Sequence, residues 1–150
     1  MIDGIKKFPL QKFVDQRGFV LKMLSRKDPY FKGFGEVYFS KINPGAIKAW
    51  HIHKKNILNY TVVWGNIKLV AVDLRKNSKT NGEINEIFIG DDNPYLVQIP
   101  PRIANGFMSL GNKGAIVANC LNSPHYDNEM ERINPFDKRI KYDWLAGLYG

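Results

Sequence analysis

Eight short runs rich in Val, Ile, Phe, Tyr and Leu, punctuated by turn-forming residues, constrain this chain more than any other feature. The runs are 19–24, 36–42, 47–53, 59–64, 67–74, 84–89, 95–99 and 115–121. Asn43-Pro44-Gly45, Gly65-Asn66, Asn81-Gly82, Asp91-Asp92-Asn93-Pro94 and Gly111-Asn112 punctuate them, and such clusters bound strands. Within 67–74, Ile67, Leu69 and Ala71 fall on one face and Lys68, Val70 and Val72 on the other. Gly65-Asn66 reads as a two-residue hairpin loop, because both residue types accept positive φ. Helical periodicity is confined to a turn around Asp28–Lys32 and a short C-terminal segment from Asp137 to Leu148. Many short strands without alternating helices predict an all-β sandwich or barrel.

Composition narrows the class. The 150 residues carry 22 Lys+Arg against 14 Asp+Glu, a formal charge of +8. That length suits one domain over 1–150, with a core large enough to need no metal or disulfide. Cys120 is the single cysteine, so no intrachain disulfide forms, which suits a reducing, cytoplasmic setting. No run of about 18 apolar residues exists to span a membrane as a helix, and the N-terminus lacks the apolar stretch of a secretory signal. An excess of positive charge favours an anionic partner. The basic residues are scattered among acidic ones and no nucleic-acid motif is present, which places nucleic acid last.

The three histidines sit in two places, His51 and His53 in KAWHIH and His125 in SPHYDNEM. In an extended segment, residues two apart share a face, so His51 and His53 project together with Ala49, away from Trp50 and Ile52. The pattern fits either two imidazoles lining a pocket or an exposed surface strand. The spacing Gly45, His51, His53, Leu58, Gly65 resembles the first motif of the cupin superfamily. Leu58 stands where metal-binding cupins carry a ligating Glu, and Asn105 where a further His would lie. Three or four convergent ligands are the usual requirement for a held metal, so no metal is expected.

Four further segments appear in a shared order: Asp15-Gln16-Arg17-Gly18-Phe19; Val72-Asp73-Leu74-Arg75 with Ser78, Thr80 and Gly82; Ile99-Pro100-Pro101 through Gly106-Phe107; and Tyr142-Asp143-Trp144. Together they resemble the dTDP-4-dehydrorhamnose 3,5-epimerase family, metal-free cupins of sugar-nucleotide metabolism. The resemblance implies a double-stranded β-helix jelly roll and catalysis without a cofactor. It implies a base at His51, an acid at Tyr126 within His125-Tyr126-Asp127-Asn128-Glu129-Met130-Glu131-Arg132, and a cation at Lys48, where the family has arginine. Contacts to a nucleotide-diphosphate sugar fall on Arg17, Asn105, Lys54 and His125. Lys48 has opposite strand parity to His51, so both reach one pocket only through a bulge or twist. The family's lysine aligns with Leu58, its pocket histidine with Asn105, its base-orienting aspartate with Asn134 (Asp137 lies close by), and an acidic residue with Lys22.

Epimerisation beside a ketone removes a carbon-bound proton, holds the enolate, and returns a proton from the opposite face. A histidine base, a cation at the developing oxyanion and a phenol supply these parts. The expected activity is epimerisation of a dTDP-linked 4-keto-6-deoxy sugar at C3, C5 or both. His51-Ile52-His53-Lys54 also resembles the sugar-nucleotide 3,4-ketoisomerases, whose proton shuttling suits two adjacent imidazoles, with His53 then catalytic. A binding cupin without catalysis is the third expectation. Cupins of this kind pair as homodimers with the N-terminal strand crossing over, which would send Arg17 to the partner's pocket.

Overall fold

The computed structural model describes residues 1–148. It contains ten strands: β1 (Lys6–Pro9), β2 (Lys12–Asp15), β3 (Gly18–Leu21), β4 (Glu36–Ile42), β5 (Ile47–His53), β6 (Leu58–Asp73), β7 (Ile84–Gly90), β8 (Tyr95–Ile99), β9 (Ile103–Leu121) and β10 (Met130–Arg132). Among the described residues there is no helix. All strand pairing is antiparallel.

Two long strands organise the molecule. β6 pairs with β9 from Tyr60 to Asp73, but the register jumps from Gly65↔Ala115 to Asn66↔Leu110. On one side of the jump the order is β1, β8, β6, β9, β4; on the other it is β7, β6, β9, β5, β10. Gly65-Asn66 is therefore a bend inside one strand, where the chain passes from one sheet to the other, and not the hairpin expected from its residue types. Gly65 has φ +77, and a Cβ there would stand 2.2 Å from the Gly114 carbonyl oxygen. Both the positive φ and the close approach require glycine.

Alternation along β6 buries residues on both faces. Ile67, Leu69 and Ala71 enter the main core with Leu58, Val97, Phe107, Val117 and Leu121. Val70 and Val72, on the opposite face, pack with Trp50, Ile133, Ile140 and Trp144 in a second core formed by the C-terminal segment. Lys68 is buried on that same outer face, and its Nζ donates to the Trp144 carbonyl at 3.0 Å.

The helix expected from Asp137 to Leu148 is absent over the described residues. Asn134, Asp137 and Asp143 each accept, through the side chain, the amide proton of the residue two positions on. Such local bonds compete with helical ones, and they fold the tail into successive turns across the outer face. The β2–β3 hairpin forms a separate two-stranded sheet, with Phe13, Val14, Phe19 and Val20 exposed.

Candidate active site

A cavity of about 410 Å³ opens on the inner side of β4, β5 and β10. Tyr38 and Ser40 reach it from β4; Lys48, Ala49, His51 and His53 from β5; Phe107, Val117 and Asn119 from β9; Met130 and Arg132 from β10; and His125 from the intervening loop. Strand register explains the β10 side chains, since Arg132 lies opposite His51 and Met130 opposite His53, and directly opposed residues share a face.

Lys48 and His51 both line the cavity because β5 is bulged between them. Lys48 pairs with Phe107 and His51 with Asn105, so three steps on β5 match two on β9. An extra residue reverses the alternation. The bulge presses on Gly106, where a Cβ would lie 2.3 Å from that of Ala49. Asn105 secures the same region from behind. It is 0% exposed, donates to the carbonyls of His51 (3.0 Å) and Ile103 (3.3 Å), and accepts the Tyr60 hydroxyl. The Asn105 amide, expected to contact substrate, is here buried and hydrogen-bonded to protein partners.

The His51 ring forms no side-chain hydrogen bond among the described residues, and its basicity is reduced to about 4, by burial first and then by Arg132, His53 and Lys48. It is a neutral imidazole at ordinary pH. Lys48 Nζ donates to Ser40 Oγ at 2.8 Å. Neither Lys48 nor Arg132 forms an ion pair among the described residues, which leaves two cations beside His51 available to an anionic ligand.

The cavity contains a phenol, but it is not the expected one. Tyr126, the acid expected from the resemblance, is 50% exposed in the loop before β10, in a depression shared with His125 and Met130. Tyr38 lines the cavity instead. Asn119 accepts the Asn59 amide proton with Oδ1 (3.1 Å), so its Nδ2 must be the group donating to the Tyr38 hydroxyl at 2.9 Å. A backbone N–H only donates, which fixes the amide's orientation. Tyr38 therefore accepts from Asn119 and keeps its own proton uncommitted, and burial raises its pKa.

Arg17 and Lys54 lie outside the cavity. Arg17 sits at the exposed β2–β3 turn, paired with Asp15 at 2.5 Å, and Lys54 is exposed just beyond β5. Leu58 is core, and Asn134 and Asp137 are committed to turns in the tail.

A buried carboxylate meets an imidazole at a position that the sequence does not mark out. Glu129 is 0% exposed, and its Oε2 lies 2.6 Å from His53 Nδ1. Its Oε1 accepts the amides of Lys55 (3.2 Å) and Asn56 (3.0 Å). Its one sequence signal is its place in the Glu129–Arg132 run, which says nothing of a partner 76 positions away. Glu36 bonds His125 Nδ1 at the cavity rim. His53, His125 and Glu129 bring donor atoms within 4.8 Å of one another, a grouping compatible with a cation. Both Glu129 oxygens and both Nδ1 atoms are already hydrogen-bonded.

The model of the dTDP-4-dehydrorhamnose 3,5-epimerase family matches residues 1–149. The chain belongs to that family. As a member of the dTDP-4-dehydrorhamnose 3,5-epimerase family it is a sugar-nucleotide epimerase, an isomerase. It is 36% identical over 146 residues to the spore coat polysaccharide biosynthesis protein SpsL of Bacillus subtilis (strain 168), covering 96% of this chain and 97% of that protein. It is 32% identical to the probable low-salt glycan biosynthesis epimerase Agl13 of Haloferax volcanii, covering 99% and 98%. The dTDP sugar isomerase of Desulfovibrio desulfuricans G20 superposes with a TM-score of 0.94 at 35% identity, covering 97% and 93%. The Bacillus anthracis dTDP-4-dehydrorhamnose 3,5-epimerase, at 24% identity and TM-score 0.83 over 94% and 85%, shares the fold. That fold is the all-β jelly roll expected from the cupin motif.

Proposed function

We propose that this chain epimerises a dTDP-linked 4-keto-6-deoxy sugar at C3, C5 or both, with His51 as base, Lys48 and Arg132 at the developing oxyanion, and Tyr38 as acid. The observation that carries the reading is one cavity holding a neutral imidazole, two unpaired cations and a phenol whose proton is free. His51 takes the carbon-bound proton, the electron pair moves into the enolate, and negative charge gathers on the carbonyl oxygen. Fixed positive charge aimed where charge develops is worth most in a water-poor site. Tyr38 then gives its proton to the opposite face, and both groups reset by exchange with water.

The working unit is a cytoplasmic homodimer. An isolated two-stranded hairpin is marginal in water, and the exposed apolar residues of β2 and β3 gain cover against a second copy. Arg17, at the tip of that hairpin, then serves the partner's cavity and its diphosphate.

A second reading has its own support. His51 and His53 share the cavity, and two adjacent imidazoles suit the proton shuttling of a 3,4-ketoisomerase. Incubation with dTDP-4-keto-6-deoxyglucose followed by NMR of the product separates the readings. An inverted centre at C3 or C5 is expected. A 3-keto sugar establishes the isomerase instead, and unchanged substrate with dTDP still bound establishes a binding protein.

A further inference from the structure

His53 and Glu129 form a buried ionisable pair in the cavity that the mechanism above leaves unused. The two imidazoles of β5 lie on one face, two residues apart and so roughly 6.6 Å from Cα to Cα, yet their surroundings differ in kind. His51 is unbonded and faced by Arg132 and Lys48. His53 is 2% exposed and tied through Nδ1 to a fully buried carboxylate.

We propose that His53, held by Glu129, is a second proton-transfer group, serving one of the two carbons beside the ketone while His51 serves the other. The inference rests on the epimerase reading. Glu129 cannot swing away, because Oε1 is anchored by the amides of Lys55 and Asn56. Those amides help hold it ionised, against the effect of its burial. An ionised carboxylate only accepts, so His53 Nδ1 carries the proton and Nε2 keeps its lone pair. The one ring nitrogen left for substrate is thus in the basic tautomer.

A purely structural tie between β5 and the loop before β10 needs no ionisable pair; a neutral amide at position 129 would accept the same two backbone amides. Burying an ionised carboxylate costs desolvation free energy that a neutral amide in the same place would not. When Nε2 takes the carbon-bound proton, the C–H bond breaks, its electron pair enters the enolate, and the imidazolium formed is stabilised by Glu129. Lys48 and Arg132 face the oxyanion, a proton returns from the opposite face, and the imidazolium resets by losing its proton to water. Glu129 is then a positioning residue, acting through His53. The other titratable groups nearest His53 are His125, its ring centroid 5.3 Å away, and behind it Glu36.

Solvent exchange resolved by carbon tests this. Wild type, Glu129→Gln, His53→Gln and His51→Asn are incubated with dTDP-4-keto-6-deoxyglucose in deuterium oxide, and loss of the C3 and C5 proton signals is followed separately. Wild type exchanges both. Glu129→Gln keeps Oε1 for the two amides but presents an amide donor to His53 Nδ1, forcing the other tautomer. It slows one carbon by about 100-fold or more and leaves the second near the wild-type rate. His53→Gln, which preserves the Glu129 backbone bonds if Glu129→Gln fails to fold, gives the same selective loss, and His51→Asn the complementary one. Equal slowing of both carbons in Glu129→Gln and His53→Gln, or slowing of neither, overturns the proposal. Exchange at a single carbon in wild type also overturns it while leaving the epimerase reading intact. Exchange at neither carbon in wild type overturns that reading, and this one with it.

Discussion

At the scale of single residues, His51 stands in the cavity with positive charge around it and, among the described residues, no carboxylate hydrogen-bonded to its ring. Burial, Arg132, His53 and Lys48 all favour its neutral form, lowering its pKa to about 4. The sign follows directly: His51 stops acting as a base where it becomes protonated, below that value. The acid limb of kcat/KM, which reports the free enzyme, is expected near pH 4 and not near the usual 6.5 of histidine. A limb at 6.5 contradicts this. The two tyrosines give a second contrast. Tyr38→Phe removes the uncommitted proton with little loss of volume and is expected to lower kcat by roughly 100- to 10,000-fold. Tyr126→Phe, outside the cavity, is expected to leave kcat unchanged. The reverse pattern in steady-state rates restores Tyr126 as the acid.

At the scale of elements, the bulge in β5 puts a cation and an imidazole on the same side. Gly106→Ala drives a methyl group into Ala49 and is expected to lower kcat and the thermal midpoint together; an unaffected midpoint contradicts that packing. Trp144, fully buried over Trp50 with ring centroids 4.9 Å apart, pins the tail. Trp144→Ala is expected to cost about 3–5 kcal/mol in denaturant unfolding. The elements also show how far the sequence could be read. β4, β5 and β8 begin and end where alternation and turn residues place them. Gly65-Asn66 misleads because a hairpin loop and a strand bend both demand positive φ, and only the pairing of β6 with β9 distinguishes them. The stretch 103–110 was not among the strand-like runs because Asn105 and Gly106 interrupt its apolar pattern, although both are there for contacts with β5. The tail reads as helix until its Asn and Asp side chains are seen capturing backbone amides. In the site, the shared face of His51 and His53 is legible, but Glu129 is not, since its role exists only after β10 docks on β5.

At the scale of the whole molecule, two cations of the positive excess, Lys48 and Arg132, line the cavity, while Arg17 lies on the exposed β2–β3 hairpin. The proposed dimer would cover that hairpin. Phe13→Ser with Phe19→Ser is expected to shift the protein from dimer to monomer in light scattering. Arg17→Ala is expected to raise KM with the dimer intact. A wild-type monomer at micromolar concentration contradicts the assembly. The central claim, that this cavity performs proton transfer at the carbons beside the ketone, is tested most directly by deuterium incorporation into dTDP-4-keto-6-deoxyglucose by wild type and His51→Asn, each with its dTDP affinity measured. Wild type is expected to incorporate deuterium, and His51→Asn to lose incorporation at one or both carbons by about 100-fold or more while binding dTDP as before. Unchanged incorporation in His51→Asn, or none in wild type, contradicts the account.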